Sequence, residues 1–118
     1  MPKHKETGIN GENIAENFLL NNGYTILHRN WRYSKLEVDI IAQKDGLVVF
    51  TEVKTRTSFD FGYPEESVTL KKRKYLKSAA AAYIDASPTR IDVRFDIVSI
   101  LLNGGTVKEI KHFEDAFY

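Results

Sequence analysis

Apolar positions in this chain switch between helical and strand spacing, and the switches divide it into elements. Ile14, Ala15, Phe18 and Leu19 recur at three- and four-residue spacing, the stripe of one helix face. They predict a helix that starts near Thr7 or Asn10 and stops at Asn22-Gly23, where glycine suits the position just past a helix end. Tyr24–Tyr33 reads as a strand. Segments Leu36–Lys44 and Leu47–Thr55 are rich in Val, Ile, Phe and Thr and flank Asp45-Gly46, a dipeptide that favours a two-residue type I′ turn, so they predict a hairpin. From Thr55 to Glu66 the pattern breaks around Ser58, Gly62 and Pro64, which predicts a loop. A second helix over Val68–Ala86 would bury Val68, Leu76, Ala79, Ala80, Tyr83 and Ile84, and the small side chains Ala79 to Ala82 would let it approach a sheet closely. Two more strands, Arg90–Leu102 and Thr106–Phe113, are joined by Asn103-Gly104-Gly105. The order α-β-β-β-α-β-β predicts one α/β domain over residues 1–118, with a central mixed sheet of about five strands flanked by helices.

The hairpin gathers charge. With Asp45 and Gly46 as the loop, Lys44 faces Leu47, Asp39 lands opposite Glu52, and Glu37 opposite Lys54. Alternation then puts Glu37, Asp39, Glu52, Lys54 and Arg56 on one face. Two carboxylates about 5 Å apart repel by roughly 3 kcal/mol at an effective dielectric near 20, a large fraction of a small domain's stability. A cation should sit between them. Lys54 and Arg56 are internal candidates and a divalent metal is the external one; the plainer alternative is a solvated, salt-bridged face with Glu37 paired to Lys54. On the first helix, Glu12 lies at the edge of the buried stripe and can reach along the sheet, whereas Glu16 is turned further toward solvent; for Glu12 the alternative is a first-turn acid favoured by the helix dipole.

Basic residues cluster at Lys71-Lys72-Arg73-Lys74 with Lys77, and Arg29, Arg32 and Lys35 precede the acidic strand. Most such runs only solvate a surface. Lys72 differs because it falls on the buried stripe, four residues from Val68 and four from Leu76, so it either snorkels to the rim or aims at something negative. Phe59, Phe61 and Tyr63 in the loop after the hairpin either stack on bases or pin the loop to the core.

Composition narrows the remaining choices. A 118-residue chain that is 42% hydrophobic can bury roughly two-thirds of its unfolded surface in one core. No apolar run approaches the ~18 residues of a membrane span and no signal-peptide segment follows Met1, so a cytoplasmic location is expected. The absence of cysteine excludes disulfides, thiolate metal sites and cysteine nucleophiles. His4, His28 and His112 lack metal-ligand spacing, and neither a glycine-rich phosphate loop nor a Gly-x-Ser-x-Gly elbow occurs. A net charge of +1 argues neither for nor against nucleic acid.

Several motifs together carry a resemblance over nearly the whole chain. They are Gly11-Glu12, Asn22-Gly23-Tyr24, Arg29-Asn30, Glu37-Val38-Asp39-Ile40-Ile41-Ala42, Phe50-Thr51-Glu52-Val53-Lys54-Thr55-Arg56, Lys72, Arg94-Phe95-Asp96-Ile97-Val98 and Asp115-Ala116-Phe117. The chain resembles the bacterial YraN family, itself similar to archaeal Holliday-junction resolvases of the restriction-endonuclease-like, PD-(D/E)XK, superfamily. The resemblance implies that fold and a metal-dependent endonuclease acting on DNA, branched forms included, with Mg²⁺ or Mn²⁺ as cofactor. By position, Glu12 matches the helix glutamate supporting the metal shell, Asp39 the metal-bridging aspartate, and Glu52 with the Val53 carbonyl the second ligand. Lys54 matches the lysine that orients the attacking water or steadies the phosphorane, and Arg56 and Lys72 fall at basic positions suited to phosphate. Where the family usually has glycine before the Glu-x-Asp acid, this chain has Leu36. The reading from another class is a nucleic-acid-binding module whose nuclease-like pocket is weak or silent. A homodimer is compatible with the sequence and not derivable from it.

Overall fold

The computed structural model describes residues 10–57 and 69–116. Helix α1 spans Gly11–Asn21 and starts where Asn10 Oδ1 accepts the backbone N–H groups of Glu12 and Asn13, at 2.9 and 3.2 Å, satisfying two of the donors a helix start leaves open. Strands β1 (Thr25–Tyr33), β2 (Leu36–Lys44) and β3 (Leu47–Arg56) follow, then helix α2 (Leu70–Asp85) capped by Thr69, then β4 (Asp92–Asn103) and β5 (Thr106–Phe113). The predicted order therefore holds, with boundaries moved by a few residues at most. Asp45 and Gly46 have φ of 52° and 80°, and Gly104 and Gly105 have 59° and 86°, the paired positive values a type I′ turn requires. The expectations for Val68 and for Phe59, Phe61 and Tyr63 concern residues outside the described ones.

The five strands form one mixed sheet in the order β1-β2-β3-β4-β5. Three pairings are antiparallel; β3 and β4 are parallel and are linked through α2, since a parallel pair needs a crossover. Each sheet face carries one helix. On one side Ala15 and Leu19 of α1 pack with Tyr24, Ile40, Ala42, Val49, Val98 and Ile100. On the other, Leu76, Ala79 and Ala80 of α2 pack with Val38, Ile41, Val48, Phe50, Phe95 and Ile97, and Tyr83 sets its ring edge-on to Trp31 and Phe50 at 5.4 and 5.6 Å. Of the alanines expected to bring a helix close to the sheet, Ala79 and Ala80 pack on it, whereas Ala81 is exposed.

Alternation fails in the middle of β2, and that place positions the site. Val38 packs on the α2 side and Ile40, two residues on, packs on the α1 side, so β2 slips between them at Asp39. Pairing of β2 with β3 runs from Lys44↔Leu47 to Ile40↔Thr51 and stops. Meanwhile β1 and β2 stay paired out to Tyr33↔Leu36, and β3 and β4 out to Arg56↔Leu101. The sheet forks, and Asp39 and Glu52 stand at the fork. Leu36, at the outer end of the β1–β2 arm, packs against the α2-side core.

Candidate active site

Asp39 and Glu52 do meet, but not as a regular cross-strand pair. Past Ile40↔Thr51 the ladder is broken, and Asp39 Oδ2 instead accepts the backbone N–H of Val53 at 2.8 Å, a donor that β2 no longer satisfies. Its carboxyl abuts that of Glu52. Burial pushes the Asp39 carboxyl up to about 7, the hydrogen bond it makes to Glu52 when protonated and the Glu52 charge push the same way, and the Val53 N–H and Lys72 only partly oppose them. Near neutral pH the Asp39 carboxyl therefore still holds its proton in a large share of molecules.

Glu52 is the more enclosed partner, 5% exposed. Its Oε2 lies 3.2 Å from Lys72 Nζ, close enough for charge pairing, yet no hydrogen bond reaches that oxygen among the described residues. A buried carboxylate oxygen without a donor is costly. Lys72 thus takes the second of the two roles its place on the buried stripe allowed: it points at a negative group.

The wider charge cluster expected on this face loses Glu37. Glu37 turns to Arg32 on β1, at 2.8 Å, because the fork carries the β1–β2 arm away from β3; the expected Glu37–Lys54 opposition is corrected accordingly. Lys54 and Arg56 extend from β3 beyond the fork, both half-buried, and Arg56 Nη1 is buried with no hydrogen-bond partner among the described residues. Glu12 is held by Arg29 Nη2 at 3.2 Å. Glu16, expected to face solvent, also reaches the sheet, through Arg29 Nη1 at 2.7 Å, so both acids of α1 converge on one guanidinium. Among the described residues no group of three or more Asp, Glu, His or Cys side chains is arranged to hold a metal ion; Asp39 and Glu52 form a pair.

The sequence profile described as "Uncharacterised protein family UPF0102" matches residues 11–100. The chain belongs to this family. A UPF0102 protein of Flavobacterium johnsoniae is 47% identical over 122 residues, covering all of this chain and 98% of the relative. Another, from Flavobacterium psychrophilum, is 42% identical over 118 residues with the same coverage, and one from Chlorobium phaeobacteroides is 45% identical over 116 residues, covering 93% of this chain and 91% of that protein.

Two residues of this UPF0102 chain were not singled out from sequence. Ser99 is paired in register with Lys54 and is on the α2 side by alternation with Phe95 and Ile97; its Oγ is buried without a hydrogen-bond partner among the described residues. The signal was present, a lone hydroxyl in the apolar run Ile97–Leu102. Arg29 was counted in a basic run, and its neighbour Asn30, with φ of 52°, marks the irregular stretch of β1 that carries it.

Proposed function

We propose that this chain is a metal-dependent phosphodiester hydrolase acting on DNA, branched forms included, built on a restriction-endonuclease-like fold. The observation that carries the proposal is the Asp39–Glu52 pair: two abutting carboxyls, one raised to about 7, with a buried Glu52 oxygen that has no donor among the described residues. Such a pair calls for a cation. Mg²⁺ keeps most of its waters and is commonly held by one or two carboxylates, and with the Val53 carbonyl beside them these residues fit it or Mn²⁺. When bound, the ion supplies an activated water and neutralises charge developing on the phosphate.

The chain's own residues then divide the work. Asp39 and Glu52 hold the ion. Lys54, two residues beyond Glu52 on the same strand, donates to the attacking water or to the phosphate oxygen on which charge develops, and Arg56 and Lys72 contact flanking phosphates. Glu12, through Arg29, steadies the helix end beside the sheet rather than touching the pair. An α/β core of five strands with one helix on each face supports this reading without selecting it over other α/β nucleic-acid domains.

One observation favours a second reading, a nucleic-acid-binding module with a silent pocket. Glu12 is committed to Arg29, so the third acid that would complete a larger ligand set stays outside the pair. A cleavage panel separates the two. Labelled four-way junction, flap, single strand and duplex are incubated with Mg²⁺ or Mn²⁺, beside Lys54→Ala. Product from the wild type that disappears in the variant supports the hydrolase; binding without product under every condition leaves the module.

A further inference from the structure

We propose that Lys72 is a tethered counter-cation of the Asp39–Glu52 pair: it competes with a divalent ion for Glu52 and is released toward phosphate when the ion binds. The inference rests on the metal-site reading above and adds how access to that site is controlled.

Three features of the geometry carry it. First, Lys72 is launched from a fixed point. Thr69 caps α2 and its Oγ1 accepts the Lys72 backbone N–H at 3.1 Å, so the side chain starts from a pinned first turn on the helix face that meets the sheet. Second, the residue runs against its local preference. A lysine in the first turn of a helix sits at the positive end of the helix dipole, and no acid of that turn offsets it. Glu52, across the interface, is an opposite charge within reach, at 3.2 Å.

Third, the contact is built to be exchanged. Glu52 is 6% exposed whereas the Lys72 side chain is 40% exposed, so the ammonium stands at the mouth of the pair with its stem along the apolar surface. Among the described residues no hydrogen-bond donor reaches Glu52 Oε2 even with Lys72 beside it, so that pairing is by charge and fixes no directional bond. One ammonium balances one carboxylate; a dication balances both. A divalent ion at Asp39 and Glu52 removes the attraction that holds Lys72 and, by charge repulsion, turns its flexible ammonium outward, where a phosphate is the anion to meet it. Metal and DNA binding are then coupled through one side chain.

Mn²⁺ titration calorimetry on wild type, Lys72→Met and Lys74→Met tests the competition. Lys72→Met keeps the packing stem and removes the charge, so it should bind Mn²⁺ at least about tenfold more tightly, while Lys74→Met, on the outer helix face, should match wild type. Equal or weaker binding by Lys72→Met overturns the proposal. Thermal melting in chelator supplies a readout without metal: Lys72→Met should melt below wild type there, and saturating Mn²⁺ should erase or reverse the difference. An equal melting temperature in chelator also counts against it. For the handover, the salt slope of DNA binding should fall by about one unit in Lys72→Met when Ca²⁺ is present and stay unchanged in chelator. The same slope change in both conditions would mean that Lys72 meets phosphate whether or not an ion is bound. If neither protein binds Mn²⁺, the metal site and this inference fall together; if wild type binds and Lys72→Met binds identically, only this inference falls.

Discussion

Two aspartates of the same sheet, one fully buried and one half-buried at the fork, are treated oppositely. Asp96, paired in register with Thr51, is completely buried, and its carboxylate collects Arg94 Nε and Nη2 at 2.9 and 2.8 Å, His112 Nε2 at 2.6 Å and the Asp115 backbone N–H at 3.0 Å. Burial pushes its carboxyl up, yet His112, Arg94 and the Asp115 N–H together hold it below the usual carboxylate range. Arg94 in turn donates to Tyr24 Oη at 2.7 Å. Asp39, beside Glu52, has one backbone donor, a second acid for a neighbour, and a carboxyl raised to about 7. The protein saturates one acid with its own donors and leaves the other in deficit. Saturated acids are structural. An acid in deficit, at a fork in the sheet, is where an external cation has something to contribute.

The comparison breaks most visibly if Asp96 is removed. Asp96→Ala leaves the Arg94 guanidinium with Tyr24 and a 3.5 Å contact to Glu114, and takes the acceptor from His112, so chemical denaturation should show a loss of about 3–5 kcal/mol, or failure to fold, because a buried ion pair is broken. A loss under about 1 kcal/mol would mean the network is dispensable and the contrast with Asp39 empty.

Next in size is Lys54→Ala. Fold and most DNA affinity should remain while cleavage slows a hundredfold or more, since one donor to the transition state contributes about 3 kcal/mol. Unchanged rates would detach Lys54 from the site.

A smaller effect sharpens the contrast through pH. Asp39 titrates higher in the folded protein than unfolded, so the folded state binds more protons between the two values, and stability falls as pH rises from about 4 through 7. In chelator the melting temperature should decline over that window. Asp39→Asn should flatten the decline and lose most of the Mn²⁺ stabilisation. Asp96 has the reverse sign: its contribution is full above the unfolded carboxylate value and is lost as pH falls through its lower folded value. A pH-independent melting temperature in chelator would remove Asp39 from the account.

The smallest effect is expected at Arg29. Its pairs with Glu12 and Glu16 are partly exposed, so Arg29→Met should cost no more than about 1 kcal/mol and leave Mn²⁺ affinity near wild type. A large loss of metal affinity would bring Glu12 into the site after all.

Local chemistry was legible in the sequence wherever one residue type dictates one conformation. Asp45-Gly46 and Gly104-Gly105 fixed both hairpins, Asn10 caps its helix as one of the two starts expected, and the Leu76, Ala79, Ala80 stripe reached the sheet as its spacing predicted. Family membership was legible too, on motifs spread along the chain. The fork was not. Ideal alternation from the Asp45-Gly46 turn puts Asp39 opposite Glu52 and Glu37 opposite Lys54, and nothing in the local pattern says that β2 slips at Asp39. That slip comes from tertiary packing, with Val38 drawn under α2 and Ile40 under α1. Glu16 was misjudged for a related reason, because helix spacing gives the angle of a side chain and not the reach of an arginine from the neighbouring strand.

The Val53 amide has a use of its own. In a continuous ladder its proton would point at a main-chain carbonyl, indifferent to solution conditions; here it points at Asp39 Oδ2. Its nuclear magnetic resonance position will therefore follow whatever happens to that carboxyl, whether a proton leaves or an ion arrives, while its neighbours along β3 stay still. One backbone resonance, assigned once, becomes a gauge of the site that requires no substrate and no substitution.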